Sequence, residues 1–420
     1  MRGKLTVLMI TAFVDMLGLI IIYPLLPFYA ERLGATAAVV GALVAAFSVA
    51  QLIAAPAWGR LSDIYGRRPA IIGGLLISAI GYVLFAFAHT LPLLFLSRVI
   101  QGLGGGTIGV VQAYVADTAE PRDRAKALGW LSAVTSLGAV VGPAIGSVLV
   151  RVGGHVAPGI GSAVLCLGVS VFAWKFLAES RVVTTTGLHA TGHRATGASA
   201  IRDVLLRPGA PAPRLIWIYA IAIGAFYGTT PILPLVLGQR LGVNEQNVGY
   251  FVMYLGGMGV IVRMGILGKM IEWLGEAQLA RVGMVSLAAG LTLVAAIHSY
   301  TMMLISMTLM PLGTAFIFPS ITAMLSRVVR SSERGLYMGV QHTFGGISRV
   351  LFPIATGYTM DRLGMGFPYV VAGAMVAATL FLTVSLEKYA QPPDAALDIA
   401  MTQTMETAIT PPATPATTSS

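Results

Sequence analysis

Apolar residues along the chain gather into runs of about 20, separated by short polar gaps. A helix of that length, rising 1.5 Å per residue, crosses a hydrocarbon layer of about 30 Å. Twelve such runs predict twelve spanning helices. Six cover residues 5–28, 38–58, 69–88, 91–115, 125–150 and 158–177; after a polar stretch, six more cover 215–237, 248–267, 279–297, 302–325, 336–360 and 367–386. The expected fold class is therefore an all-α membrane protein. Composition agrees, since 56% hydrophobic against 10% charged residues would leave large apolar patches on a water-soluble domain. Basic residues precede the first run as in a secretion signal, but the run is long and lacks a small-residue cleavage pattern, so it reads as a retained helix.

The two groups of six repeat each other. Arg32-Leu33-Gly34 recurs as Arg240-Leu241-Gly242, 208 positions on, and Pro24 and Pro27 recur as Pro231 and Pro234 at 207. The loop from Gly59 to Gly66 recurs from Gly268 to Gly275 at 209, and Arg124, Gly129 and Pro143 match Arg334, Gly339 and Pro353 at 210. Two pseudo-symmetric six-helix bundles follow, with a cavity expected between them near mid-membrane. The boundaries are a first bundle over 1–180, a linker over 181–213, a second bundle over 214–388 and a Pro- and Thr-rich tail over 389–420, expected to be disordered.

Charge fixes an orientation. With both termini inside, the cytoplasmic connections hold 15 basic residues, Arg60, Arg67 and Arg68 among them, against Arg32, Arg151, Arg240 and Arg362 on the other side. The net charge of +10 therefore sits in loops flanking the spans and makes no aromatic-interleaved surface for nucleic acid. The single Cys166 permits no internal disulfide. The glycine-rich stretch 102–106 lacks the lysine of a phosphate-binding loop, and no cluster suggests a metal centre, a cofactor or an enzyme's nucleophile and base.

Charges inside the spans are costly and therefore informative. Asp15 is the only acid deep within a run. Arg98, in the fourth run, lies at a similar depth, so a structural Asp15 to Arg98 ion pair and a titrating Asp15 tuned by Arg98 both fit. Arg349, in the eleventh run, is a second deep cation with no evident acidic partner. Gln51, Gln112, Gln341 and His342 are cavity candidates, because amides and imidazoles need hydrogen-bond partners away from lipid. Phe226, Tyr227 and Phe344 either line that cavity or pack.

Four motifs resemble those of the major facilitator superfamily, and within it the twelve-helix drug:proton antiporters that include tetracycline exporters; the resemblance covers about residues 5–386. The loop Gly59-Arg60-Leu61-Ser62-Asp63-Ile64-Tyr65-Gly66-Arg67-Arg68 resembles the family's loop between helices two and three. The likeness implies a gating element that clasps the bundles, echoed by Gly268, Glu272 and Gly275. Glu276 stands where the first copy has Arg67, which predicts a weaker second clasp. The stretch around Arg98 is similar to the fourth-helix motif associated with proton transfer, and Asp15-Met16-Leu17-Gly18 to the first-helix motif. Gly138, Gly142, Pro143 and Gly146 form a fifth-helix motif that the family associates with antiport. The additional membrane acid typical of the second half of tetracycline exporters has no match here.

The resemblance implies a secondary active transporter that exports small apolar or amphipathic compounds, with drugs and tetracycline as candidate substrates, in exchange for protons. It is expected to act as a monomer in the cell membrane, the inner membrane of a bacterium. The alternative is a proton-coupled importer of a metabolite such as a sugar or carboxylate, for which Arg349 would bind an anion.

Overall fold

The computed structural model describes residues 2–120, 123–180, 197–330 and 333–384. The expected tail and the first part of the expected linker lie outside the described residues. Among the described residues, nine helices are long and apolar enough to cross a membrane. One of them, Val248–Ala295, is interrupted by Gly275 at φ +72°, a left-handed conformation that only glycine adopts cheaply, and is two spans. Arg334–Leu363 and the shorter Phe367–Thr383 bring the number to twelve among the described residues. They are α1 (Leu5–Arg32), α2 (Ala37–Tyr65), α3 (Arg67–Ala86), α4 (Leu91–Thr118), α5 (Arg124–Gly153) and α6 (Val156–Phe176), followed by α7 (Pro211–Leu241), α8 (248–274), α9 (276–295), α10 (Tyr300–Val328), α11 (Arg334–Leu363) and α12 (Phe367–Thr383).

Local chemistry explains where these rods bend and end. Pro24 and Pro27 cannot donate to the helix ladder, and α1 breaks into a turn at Tyr23–Leu25 before restarting at Leu26. α7 bends the same way through the tight turn Thr230–Ile232, which holds Pro231. Thr90 and Ser299 start α4 and α10 by accepting the Leu93 and Met302 amides at 3.4 and 3.3 Å.

The repeat read from the sequence is present in the backbone. All six positive-φ glycines among the described residues fall into pairs 208 to 210 positions apart: Gly34 with Gly242, Gly66 with Gly275, and Gly154 with Gly364. A close helix crossing repeats as well. A Cβ on Gly104 would lie 2.7 Å from the Gly74 carbonyl, and one on Gly313 would lie 2.6 Å from the Gly283 carbonyl. Within the first bundle, α1 packs on α5 and α6, α3 on α4 and α6, and α2 on α4; within the second, α7 packs on α10 and α11, and α9 on α10 and α12.

The bundles meet along two seams related by the repeat, α2 with α11 and α5 with α8. The face carrying Arg60, Arg67 and Arg68 is called here the basic face, and the opposite one the far face. The seams close the far side. A Cβ on Gly41 would lie 2.1 Å from the Pro353 carbonyl and one on Gly249 would lie 1.9 Å from that of Pro143, so backbone touches backbone at both seams. Asp361, at the end of α11, accepts the Ala37 and Ala38 amides at 2.9 Å each, capping α2 across the first seam. Ser147 of α5 donates to the Glu245 carbonyl at 2.7 Å and accepts the Gly249 amide at 2.9 Å across the second.

The part of the linker that is described contains a helix, Gly197–Leu206. It buries Ala200 and Val204, and its Val204 carbonyl accepts the Trp217 indole at 3.1 Å. This segment therefore docks on the second bundle and is not a plain connector.

Candidate functional site

A cavity of about 640 Å³ lies on the inner side of the first bundle, walled by α1 to α5. Its lining takes in residues 12–19 of α1, 101–116 of α4 and 128–135 of α5, which is the middle of the bundle and its basic-face half. A smaller pocket of about 320 Å³ between α2, α4 and α11 shares Gln51, Gly105, Ile108 and Gly109 with it. Together they form one space that reaches from the first bundle to the second.

Asp15 faces this space from α1, half-buried, and no hydrogen bond or ion pair holds its carboxylate among the described residues. Tyr82 and Cys166 lie within its electrostatic reach. The ion pair with Arg98, one of the two sequence expectations, does not form in this conformation. Arg98 is 1% exposed; its Nη1 donates to Gln101 Oε1 at 2.5 Å and its guanidinium lies 4.7 Å from the centre of the Phe47 ring. Gln101 donates in turn to the Gly81 carbonyl at 3.1 Å and lines the cavity. Arg98 thus stands behind the cavity wall, linked to it through an amide.

Gln51 and Gln112 line the large cavity, and His342 lines the smaller pocket beside Arg349. Gln51 is held there by a 3.0 Å bond to the Gly105 carbonyl. Gln341 sits elsewhere: it is fully buried and donates to Thr322 of α10 at 3.4 Å, since one helical step from His342 turns it into the second bundle. Phe344 packs edge-on against Trp217 at 5.5 Å and Phe226 against Tyr227 at 5.2 Å, both buried. Tyr227 is more open and lies under the Arg349 guanidinium at 5.5 Å. Sequence reading passed over Tyr82, Ser132 and Thr135 in the lining. Gln101 alone carried a signal, three residues after Arg98 on the same helix face.

The loop after α2 is braced within its own bundle. Arg67 pairs with Asp63 and with Asp117 of α4, each at 3.0 Å, and Glu179, after α6, accepts the Arg67 and Arg68 amides at 2.9 and 3.0 Å. That carboxylate sits on the N-terminus of α3, where helix dipole and free amides favour an anion. Arg60 and Glu272 are exposed and Gly59 and Gly268 have open space around them. The second copy, expected to be weaker, keeps an ion pair of its own. Glu276 takes two 2.6 Å bonds from Arg327, at positions 209 and 210 after Arg67 and Asp117, so the same pair is rebuilt with its charges exchanged. In the fifth-helix motif Gly138, Gly142 and Gly146 lie against α1, where added Cβ atoms would approach the Phe13, Leu17 and Ile21 carbonyls at 2.8, 3.2 and 2.3 Å.

At the far face a polar cluster centred on Glu245, in the loop between α7 and α8, joins the halves. Glu245 lies 3.0 Å from Arg32 and 2.8 Å from His155 Nδ1, and the Tyr29 hydroxyl donates to the His155 carbonyl. Burial raises the Glu245 pKa above its ordinary value, while Arg32 and His155 pull it down.

Twelve spans in two repeated bundles, around a mainly apolar cavity that carries a few polar groups and is sealed at one face, make this a membrane transporter. The chain belongs to the Major Facilitator Superfamily, whose profile it matches over residues 8–295 and 267–400. It is similar to multidrug resistance protein 1 of Bacillus subtilis (strain 168), 27% identical over 386 residues that cover 91% of this chain and 95% of that one. It is also similar to the class G tetracycline resistance protein of Vibrio anguillarum, at 28% identity with 86% and 90% of the two chains covered. Among solved structures, the nucleoside transporter NupG superposes with a TM-score of 0.73 at 12% identity, over 92% of this chain and 100% of that one, which is agreement in fold.

Proposed function

We propose that the protein exports small apolar and amphipathic compounds, drugs among them, in exchange for protons, by alternating exposure of the cavity to the two sides of the cell membrane. The observation that carries this reading is Asp15, a membrane carboxylate on the cavity wall with no partner among the described residues. A group so placed answers to whatever enters, a proton or a cationic substrate. Resemblance to multidrug and tetracycline resistance proteins over nearly the whole chain supports export. Arg98 acts on the cavity through Gln101; Gly138, Gly142 and Gly146 keep α5 close to α1, and Pro143 lies at the seam with α8. The loops around Asp63 and Glu272 act on the equilibrium between conformations and not on the substrate.

The arginine distribution assigns the basic face to the cytoplasm, which puts both termini and the 181–213 linker there. The conformation described is then the cytoplasm-open one. The working unit is a monomer of two bundles, 1–180 and 214–388, in a bacterial inner membrane.

The test is flux in proteoliposomes under an imposed pH gradient, with tetracycline and a panel of neutral and cationic dyes. Substrate and protons are expected to move in opposite directions. Asp15→Asn should reduce gradient-driven accumulation to that of empty liposomes while neutral-dye binding stays within a few-fold, because the amide keeps the shape but does not titrate. If Asp15→Asn still concentrates substrate, coupling lies elsewhere, with His342 the next group to test. Movement in the same direction would make the protein an importer.

A further inference from the structure

We infer that Arg349 is an anion-recognising subsite of the transport cavity, so that amphiphiles carrying a sulfonate or carboxylate are a preferred substrate class. The inference rests on the cavity being the transport site. Arg349 is the 16th of 30 residues in α11, about 22 Å of helix from either end, too deep for its side chain to reach either interface. A cation at that depth needs a counter-charge or a wet cavity. No carboxylate pairs with it among the described residues, and its Nε, like that of Arg98, is buried without a hydrogen-bond partner. What surrounds it is a set of polar groups with no carboxylate among them: the guanidinium lies 5.5 Å over the Tyr227 ring, Tyr23 and Tyr219 are within electrostatic reach, and Gln51, Ser48 and His342 share its pocket.

The contrast with Arg98 separates a structural arginine from a receptive one. Arg98 is sealed behind the wall with Gln101 and Phe47 on it, whereas Arg349 faces a pocket of about 320 Å³ that runs into the larger cavity at Gln51 and Gly105. An anionic head on Arg349 would leave an apolar body free to occupy the larger cavity. Nor is Arg349 part of the repeated scaffold, since the residue 210 positions earlier is Ala139.

Two probes that differ by one anionic group test this: 8-anilino-1-naphthalenesulfonate, and N-phenyl-1-naphthylamine, which is the same arylamine without the sulfonate. Binding is read by fluorescence on the purified protein in lipid nanodiscs, with empty nanodiscs subtracted. Arg349→Gln is expected to weaken sulfonate binding by about 10-fold or more, the scale of one charge-assisted hydrogen bond. It should leave the neutral probe within about twofold, and Arg349→Lys should restore most of the sulfonate affinity. Equal weakening of both probes would assign Arg349 to holding α7 against α11 through Tyr227 and overturn the inference, as would no weakening of either. A thermal melt of each variant separates misfolding from lost recognition. The assay applies no pH gradient, so failure of proton coupling in the flux experiment leaves its result unchanged.

Discussion

The two halves of the molecule keep the same scaffold and differ in the charges they hold deep within the membrane. Glycine crossings, left-handed helix ends, capping hydroxyls and the basic-face ion pair all recur some 209 positions apart. The three deep charges do not. Positions equivalent to Asp15, Arg98 and Arg349 hold Ala222, Met307 and Ala139. Packing geometry is thus duplicated, because each bundle must close on itself in the same way, while the chemistry is written once. The ion pair makes the point most clearly: Arg67 with Asp117 and Glu276 with Arg327 occupy one geometry with opposite signs. At that place what matters is that opposite charges meet, whereas in the cavity the sign itself carries function.

The largest effect should come from breaking the duplicated seams. Alanine at Gly41 or Gly249 would push a Cβ to 2.1 or 1.9 Å from a backbone carbonyl of the opposite bundle, an overlap that flexible side chains cannot relieve. Overpacking of this kind costs about 1–3 kcal/mol or more, enough to shift the balance between the two faces by about 5-fold to 150-fold. Either substitution should open the far face, widening spin-label distances between the bundles there and slowing transport at least tenfold. A cysteine at Thr36 should then react faster with an impermeant reagent applied outside intact cells, which also reports which face is external. Unchanged distances in Gly249→Ala would mean that the seam is not tight.

The second comparison to sharpen is the exchanged ion pair. Arg327→Asp should destabilise the second bundle by about 1–3 kcal/mol, discounted for partial exposure, by leaving Glu276 facing a like charge. Adding Glu276→Arg should restore melting temperature and flux, since the new cation would meet both the aspartate and Glu272 one turn earlier, as Arg67 meets Asp117 and Asp63. A double variant no better than the single one would show that the sign at these positions is fixed by something beyond the pair.

The elements that repeat were legible in the sequence, and for a physical reason. Glycine and proline are chosen by backbone geometry, so Gly66 and Gly275, or Pro143 and Pro353, announce the turns and seams directly. Asp15, Gln51 and Gln112 were found because polar groups in a membrane need a cavity, and the cavity reaches all three. What stayed hidden depends on rotation about a helix or on distant partners. Gln341 and His342 are neighbours in sequence, yet one is buried against Thr322 and the other faces the pocket. Asp361 on the α2 amides and Glu179 on those of α3 join residues far apart in the chain, and neither lies in a motif. The compensation of Glu276 by Arg327 was missed for the same reason, as one partner was visible in the loop and the other was 51 residues away.

The smallest effect concerns pH at the far face, where among the described residues the second seam carries a titrating cluster around Glu245. Asp361 caps α2 at the first seam through backbone amides, but Glu245 at the second faces Arg32 and His155, with Glu31 in the same pocket and Arg151 bonded to the Gln246 carbonyl at 3.2 Å. Burial raises the Glu245 pKa above its ordinary 4.5 in this closed arrangement. Opening the far face would return the group to water and to that ordinary value. The closed form therefore binds the proton more tightly, so acid favours closure; the contribution is full below about 4.5 and is lost as pH rises through the raised value. Arg32 is 49% exposed, so its pairing with Glu245 contributes only about 0–1 kcal/mol and leaves the sign to burial. Spin-label distances across the second seam should shorten slightly as pH falls from neutral toward 4.5, and Glu245→Gln should flatten that response without altering the first seam. A wild-type far face that opens on acidification would instead mean that the ion pairs with Arg32 and His155 outweigh burial at Glu245.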